Sequence, residues 1–171
     1  MARIKFGKHE HLALEITPLT IWSNPGSEGE FMEYQIALYC QGTPVFNPEL
    51  GENLVAVKDE ESIYLSVFIA ETLASRQQHN WTMLEPKVSF YMAPGVAPLG
   101  CCGNYNHADP FFLQITLEQN IFAGEDKTFG PYSNTGLNIN FEAPGDAWAQ
   151  FVKDLRAEEE DFDEEDADAQ Q

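Results

Sequence analysis

The chain has few basic residues for its size. Nine Lys and Arg stand against 28 Asp and Glu, which gives a formal net charge of −19 over 171 residues. The stretch from Glu158 to Gln171 contains nine of these acids and no base, and the rest of the chain still has 19 acids against nine bases. A field of this sign repels nucleic acid and anionic membranes and attracts cationic surfaces. The shortage of bases therefore predicts a basic protein partner, with no direct binding to nucleic acid or membrane.

Long apolar runs and cysteines are also scarce. No apolar run approaches the roughly 20 residues that a membrane-spanning helix needs. The first residues, Met1 to Phe6, lack the apolar stretch and cleavage site of a signal peptide. The odd cysteine count (Cys40, Cys101 and Cys102) argues against a disulfide framework. These absences predict a cytoplasmic location.

The composition is otherwise that of a folded protein. Hydrophobic residues make up 43% of the chain and aromatic residues 12%, and this length fits one domain. We predict a single domain over residues 1–157 and a disordered acidic tail over residues 158–171, because the tail has little apolar content beyond Phe162. The tail has three interpretations: a solubilising segment, an imitation of a phosphate backbone, or a docking segment.

The pattern of apolar residues predicts strands and two helices. Alternation with period two, typical of half-buried strands, is found in the segments Met32–Cys40, Leu84–Met92, Phe111–Leu117 and Leu137–Phe141, and from Leu12 to beyond Pro18. Helical spacing is found at Leu65, Phe68, Ile69 and Leu73, and at Trp148, Phe151, Val152 and Leu155. Strands with one polar face belong to antiparallel sheets. The segregated order predicts an α+β fold, mainly an antiparallel sheet with one middle and one C-terminal packed helix.

The motifs of common enzymes are missing. The sequence contains no G-x-S-x-G elbow, no P-loop and no dinucleotide-binding glycine pattern. Cys101 or Cys102 beside His107 could form a thiol–imidazole pair, but a loop with two ordinary thiols is the more common case. We therefore predict a protein that is not an enzyme and has no catalytic residue and no cofactor.

A metal site has weak support in the sequence. His9 and His11 place two imidazoles on one side of an extended segment, and His107 and Asp109 could join them. Structural zinc sites usually have closely spaced ligands at both ends, and here only one end has them. We predict no metal site and keep a small metal- or thiol-dependent enzyme as an alternative.

The residues most suited to partner binding are acids and aromatics. The six acids that we predict to contact a partner are Glu30, Glu33, Glu49, Glu52, Glu118 and Glu142. Aromatic residues enrich interfaces, and about half of a set of five should instead be core: Trp22, Tyr34, Tyr39, Tyr64 and Trp81.

One segment resembles a known family. Residues Trp81 to Phe90 read WTMLEPKVSF, and this resembles the glutamate–proline strand of WapI-type bacterial immunity proteins. The order of elements over residues 30–156 is similar as well. The resemblance implies an α+β protein that binds and silences a cognate toxin domain, often a nuclease, and it fixes no binding residue in this chain.

The sequence thus predicts a non-enzymatic inhibitor of the immunity or antitoxin type, which occludes a basic toxin (nuclease) domain. An acidic inhibitor suits a basic nuclease because complementary charge accelerates capture. A DNA-mimic inhibitor of a host or phage defence system and a structural or assembly protein remain alternatives, beside the metal or thiol enzyme.

Overall fold

The computed structural model describes residues 2–6, 12–23, 30–46, 54–58, 64–82, 88–95, 109–118 and 136–169. These residues form strands and helices in the order β1 (Ala2–Phe6), β2 (Leu12–Ser23), β3 (Glu30–Cys40), β4 (Thr43–Phe46), β5 (Leu54–Lys58), α1 (Leu65–Ser75), β6 (His79–Thr82), β7 (Val88–Pro94), β8 (Pro110–Glu118), β9 (Gly136–Pro144) and α2 (Gly145–Ala169). The predicted α+β fold with antiparallel sheets is confirmed. Neither helix of the described part is both long and apolar enough to cross a membrane.

The first sheet is built around β3. β1, β2 and β3 pair in that order, and the far edge of β3 is shared by two short strands. β5 pairs with Glu30 to Tyr34, and β4 pairs with Leu38 to Cys40. β2 continues through Pro18, as the sequence predicts. The missing N–H of Pro18 is tolerated because β1 pairs only as far as Ile16 and a register shift follows Pro18.

The second sheet has the order β6-β7-β8-β9, and every pair is antiparallel. β8 and β9 confirm the strands predicted at Phe111–Leu117 and Leu137–Phe141. β7 confirms the second half of the strand predicted at Leu84–Met92. Residues 83–87, which include the Glu85-Pro86 pair of the family resemblance, lie outside the described residues.

A single hydrophobic core joins both sheets to both helices. The inward residues of the two sheets, among them Met32, Ile36, Phe90 and Leu113, belong to the same cluster as the apolar residues of the helices. α2 packs on α1, β1 and β2, α1 packs on β6 and β7, and β1 at the edge of the first sheet contacts β9 at the edge of the second. The helices therefore connect the inner faces of the two sheets.

The C-terminal helix confirms the predicted stripe and extends beyond it. Trp148, Phe151 and Leu155 are buried, and the indole N–H of Trp148 donates to the carbonyl of Phe111 at 3.2 Å. α2 then continues to Ala169. The helix includes residues 158–169, and Glu159 extends its buried stripe by one turn. The domain boundary at residue 157 and the disordered tail over residues 158–171 stay predictions.

Candidate functional site

Two of the six acids predicted to bind a partner have described side chains, and they lie far apart in the topology. Glu33 lies in β3 on the outward face of the first sheet, opposite Thr20 and Val55. Glu142 lies in β9 on the outward face of the second sheet, opposite Phe112. The two acids therefore lie in different sheets, and strand pairing does not bring them together.

The other four acids are placed less fully. Glu30 begins β3 and Glu118 ends β8, and the structure describes these two positions by their backbone alone. Glu49 and Glu52 lie outside the described residues, as do the residues of the alternative metal or thiol site: His9, His11, Cys101, Cys102 and His107. Partner binding by the six acids stays a prediction.

Asp109, the remaining candidate metal ligand, is engaged by an arginine. Arg76 donates two hydrogen bonds to its carboxylate, at 3.0 and 2.5 Å, and its guanidinium carbon lies 5.5 Å from the centre of the Phe111 ring. These hydrogen bonds hold the pKa of Asp109 below its ordinary value. The backbone N–H of Gly145 also donates to the carbonyl of Asp109. Asp109 therefore links the ends of α1, β8 and α2, and no group of three His, Cys, Asp or Glu within the described ranges could hold a metal ion.

The aromatic candidates divide between core and surface. Tyr34 is fully buried, and its ring meets that of Trp81 edge to face at 6.4 Å. Trp81 and Tyr64 are partly buried against the core. Tyr39 lies on the outward face of the first sheet, and the side chain of Trp22 lies outside the described part. Three of the four described side chains thus belong to the core or pack against it. Use of any of the five aromatics in partner binding stays a prediction.

Arg3 and Glu15 form an ion pair with each other on the outward face of the first sheet. The guanidinium of Arg3 contacts the carboxylate of Glu15 at 2.6 Å, and the Glu15 side chain is only 5% exposed. A hydrogen bond with Glu15 raises the pKa of Tyr39, whose ring lies 5.3 Å from the guanidinium carbon of Arg3. Glu15 is therefore a structural acid.

The most unusual ionisable group is Glu159, whose side chain is fully buried between three elements. Its Oε1 accepts a hydrogen bond from the Tyr34 hydroxyl at 2.7 Å and one from the Ser66 N–H at 3.3 Å. Its Oε2 accepts a hydrogen bond from the Ser66 hydroxyl. The Tyr34 hydroxyl in turn accepts from the N–H of Leu65 at 3.3 Å. The carboxyl group of α2 thus fastens β3 to the start of α1.

Glu159 and Tyr34 together cap α1. The first N–H groups of a helix have no partner within the helix, and a side chain at the N-cap usually supplies one. Tyr64, the N-cap of α1, makes no such hydrogen bond, so the oxygens of Glu159 and Tyr34 take that role for Leu65 and Ser66. Burial raises the pKa of Glu159 and also raises the pKa of Tyr34 far above its ordinary value. This cap attaches α2, at residue 159, to β3 and to the start of α1.

The sequence contained a signal for this cap that the charge pattern hid. Position 159 follows Trp148, Phe151 and Leu155 at helical spacing, and a buried helix face can contain an acid where hydrogen-bond donors meet it. The run of acids around Glu159 made all of them resemble solvated residues.

No protein-family model and no curated protein matches this chain. The resemblance to WapI-type immunity proteins therefore rests on the sequence pattern alone.

Proposed function

We propose that this protein is a non-enzymatic inhibitor of the immunity type, which binds a basic toxin domain and covers its nucleic-acid-binding surface. The observation that carries the proposal is the anchoring of an acidic stretch of helix by Glu159. We call residues 158–169 of α2 the acidic segment.

The acidic segment concentrates negative charge where a helix tolerates it least. It contains nine acids and no base, and only Glu159 among its described side chains is fully buried. A helix C-terminus has a partial negative charge of its own, and like charges one turn apart repel each other. The segment itself contains no basic residue that could offset these two effects. A positively charged partner would relieve both.

Glu159 anchors the turn of α2 that contains the next two acids. Glu160 and Asp161, the two residues after the buried Glu159, are exposed, and Arg156 contacts Glu160 at 3.8 Å. A surface that is already ordered loses less conformational entropy on binding than a flexible coil does. Its charge also accelerates encounter with a basic protein. Fast capture of a basic nuclease is what an inhibitor of such a toxin requires.

The test combines capture with charge reversal. Tagged full-length protein is used to retain binding partners from native lysate of the source cells, and association rates with the main retained protein are then measured. The segment variant has Glu160→Lys and Asp161→Lys. The matched control has Glu71→Lys and Asp154→Lys, which change the net charge equally at exposed positions outside the segment.

We expect the retained protein to be basic and to lose nuclease or other toxic activity when the inhibitor is added. The segment variant should associate about tenfold more slowly at low salt than the control. Equal rates for the two variants would refute the role of the segment, and a retained protein that keeps its activity would refute inhibition. Displacement by duplex DNA would favour the DNA-mimic form of the inhibitor.

A further inference from the structure

The end of α1 places a serine, a histidine and a glutamate side by side. The hydroxyl oxygen of Ser75 lies 3.2 Å from Nε2 of His79, and Nδ1 of the same imidazole lies 4.0 Å from Oε2 of Glu71. The imidazole thus contacts the hydroxyl with one ring nitrogen and faces the carboxylate with the other. A hydroxyl, a base and an acid that orients the base are the groups that activate a serine nucleophile, in this order.

Two elements of the fold bring the three residues together. Glu71 and Ser75 are one turn apart in α1, so their side chains lie on the same face of the helix. His79 begins β6 and shares a strand face with Trp81. The ring of Trp81 lies 6.5 Å from that of Phe68 in α1, which shows that this strand face is turned toward the helix. The imidazole of His79 therefore meets the last turn of α1.

The turn between α1 and β6 is fixed at both ends. Arg76 ends the helix with a φ of 55°, its N–H donates to the carbonyl of Thr72, and its guanidinium donates two hydrogen bonds to Asp109. On the other side of the turn, β6 pairs with β7, and His79 lies opposite the buried Met92. The nucleophile and its base are therefore positioned by contacts that do not depend on a ligand.

One tautomer of His79 suits all the contacts around it. With the ring proton on Nδ1, the Nδ1–H points toward the carboxylate of Glu71, and Nε2 accepts a hydrogen bond from the Ser75 hydroxyl. The other tautomer would set an Nδ1 lone pair against the negative carboxylate. The backbone N–H of Gln77 donates to the Ser75 oxygen at 3.2 Å, and it would stabilise negative charge that develops there. The geometry therefore favours transfer of the hydroxyl proton to Nε2.

Exposure of the group determines which substrates it suits. The Ser75 side chain is exposed, the Glu71 side chain is 52% exposed and the His79 side chain is 30% exposed, so a ligand can reach all three. Water also reaches them, and it weakens the attraction between the imidazole and the carboxylate. Such a site suits acyl donors with good leaving groups, because their reaction requires little stabilisation beyond a general base.

We propose that Ser75 is an acylation site, whose hydroxyl takes an acyl group from an activated ester or thioester with His79 as the general base. The bond from Oγ to the acyl carbon forms, and the bond from that carbon to the leaving oxygen or sulfur breaks. His79 takes the hydroxyl proton at Nε2 and passes it to the leaving group. The product is a serine ester, formed once per chain without turnover, and it does not depend on toxin inhibition.

Reaction of the full-length protein with p-nitrophenyl acetate tests this proposal. Mass spectrometry of the tryptic peptide 59–76, which contains Ser75, gives the position and the rate of acetylation. We expect one acetyl group on Ser75, and we expect the variant Ser75→Ala to lose it from this peptide. Fragmentation of the peptide separates Ser75 from its other hydroxyl groups.

Matched variants separate the general base from other effects of substitution. His79→Gln keeps a polar side chain but removes the base, and it should slow acetylation of Ser75 by about 100-fold. Glu71→Gln should slow it about fivefold, which corresponds to the attraction between unit charges 4.0 Å apart in water. Asn80→Ala changes the exposed residue after His79 and should alter the rate less than about twofold.

Two results would overturn the proposal: acetyl groups found on other nucleophiles of the chain but not on Ser75, or equal rates of Ser75 acetylation in His79→Gln and Asn80→Ala. A rate for Glu71→Gln equal to that of the wild-type protein would overturn the role of the carboxylate. Urea unfolding verifies that each variant is folded. The outcome is independent of toxin inhibition, whose test depends on Glu160, Asp161 and a basic protein.

Discussion

Glu159→Ala removes one acceptor group that serves three hydrogen bonds inside the fold. The donors left behind are the Tyr34 hydroxyl, the Ser66 hydroxyl and the Ser66 N–H, all in buried residues. An unsatisfied buried donor costs about 1–3 kcal/mol. The variant no longer buries a carboxyl group, and water can enter the space that the side chain leaves. Both effects offset part of the cost of the unsatisfied donors. We expect the free energy of unfolding to fall by about 3 kcal/mol, a large part of the roughly 5–15 kcal/mol of a typical domain.

Two further variants serve as controls for the expected loss of stability in Glu159→Ala. Glu160→Ala removes the same charge from the neighbouring exposed residue, whose contact with Arg156 is a surface pair one turn apart. It should cost no more than about 0.5 kcal/mol. Glu159→Gln keeps one acceptor oxygen and should cost about 1 kcal/mol. Urea unfolding at pH 7, followed by circular dichroism, measures all three, and equal losses for Glu159→Ala and Glu160→Ala would refute the capping role.

The difference in stability between the wild-type protein and Glu159→Gln should change with pH in a definite direction. Burial raises the pKa of Glu159 above its value in the unfolded chain, so the folded protein takes up a proton between the two values. Stability relative to Glu159→Gln should therefore be highest below the unfolded pKa. It should fall as the pH rises through the folded pKa and stay constant above it. A wild-type protein that gains stability over Glu159→Gln with rising pH would show that the group is preferentially ionised in the fold.

Two more stability predictions concern the anchors of α1 and α2. Trp148→Ala should lower the free energy of unfolding by about 3–5 kcal/mol, because a fully buried indole is removed; a loss below about 1 kcal/mol in urea unfolding would contradict the packing of α2. Arg76→Gly should melt at a higher temperature than Arg76→Ala in a calorimetric scan. Both lose the contact with Asp109, but the φ of 55° at Arg76 suits glycine; a lower melting temperature for the glycine variant would contradict this.

The parts of the fold that could be predicted are those with long periodic patterns. β3, β8 and β9 have nine or more residues each, so alternation identifies them against chance. β1, β5 and β6 have only four or five residues. Such short strands are stabilised by pairing with a longer neighbour. Their own sequences are therefore too short to identify them, and the residues that stabilise them lie in the partner strand. The start of α2 was predictable because Trp148, Phe151 and Leu155 form one stripe.

The candidate site was less predictable, because side chains distant in sequence form it. Tyr34, Ser66 and Glu159 are separated by up to 125 residues, and each is ordinary in its own segment. Adjacency on the second sheet depends in the same way on the register between strands. Asn80 and Asn140 reach one row only because β7 and β8 lie between them. Composition shows how many acids and amides exist, and only the register shows which are adjacent.

The burial of Glu159 also decides how the acidic segment can be studied. Truncation at residue 157 would remove the exposed acids, but it would remove the cap of α1 with them. A truncated protein that fails to bind a basic partner could have lost either its charge or its fold. Substitution of Glu160 and Asp161 changes the charge and leaves Glu159 with Tyr34 and Ser66. The contribution of the segment to binding is therefore measurable only in a chain that keeps residue 159.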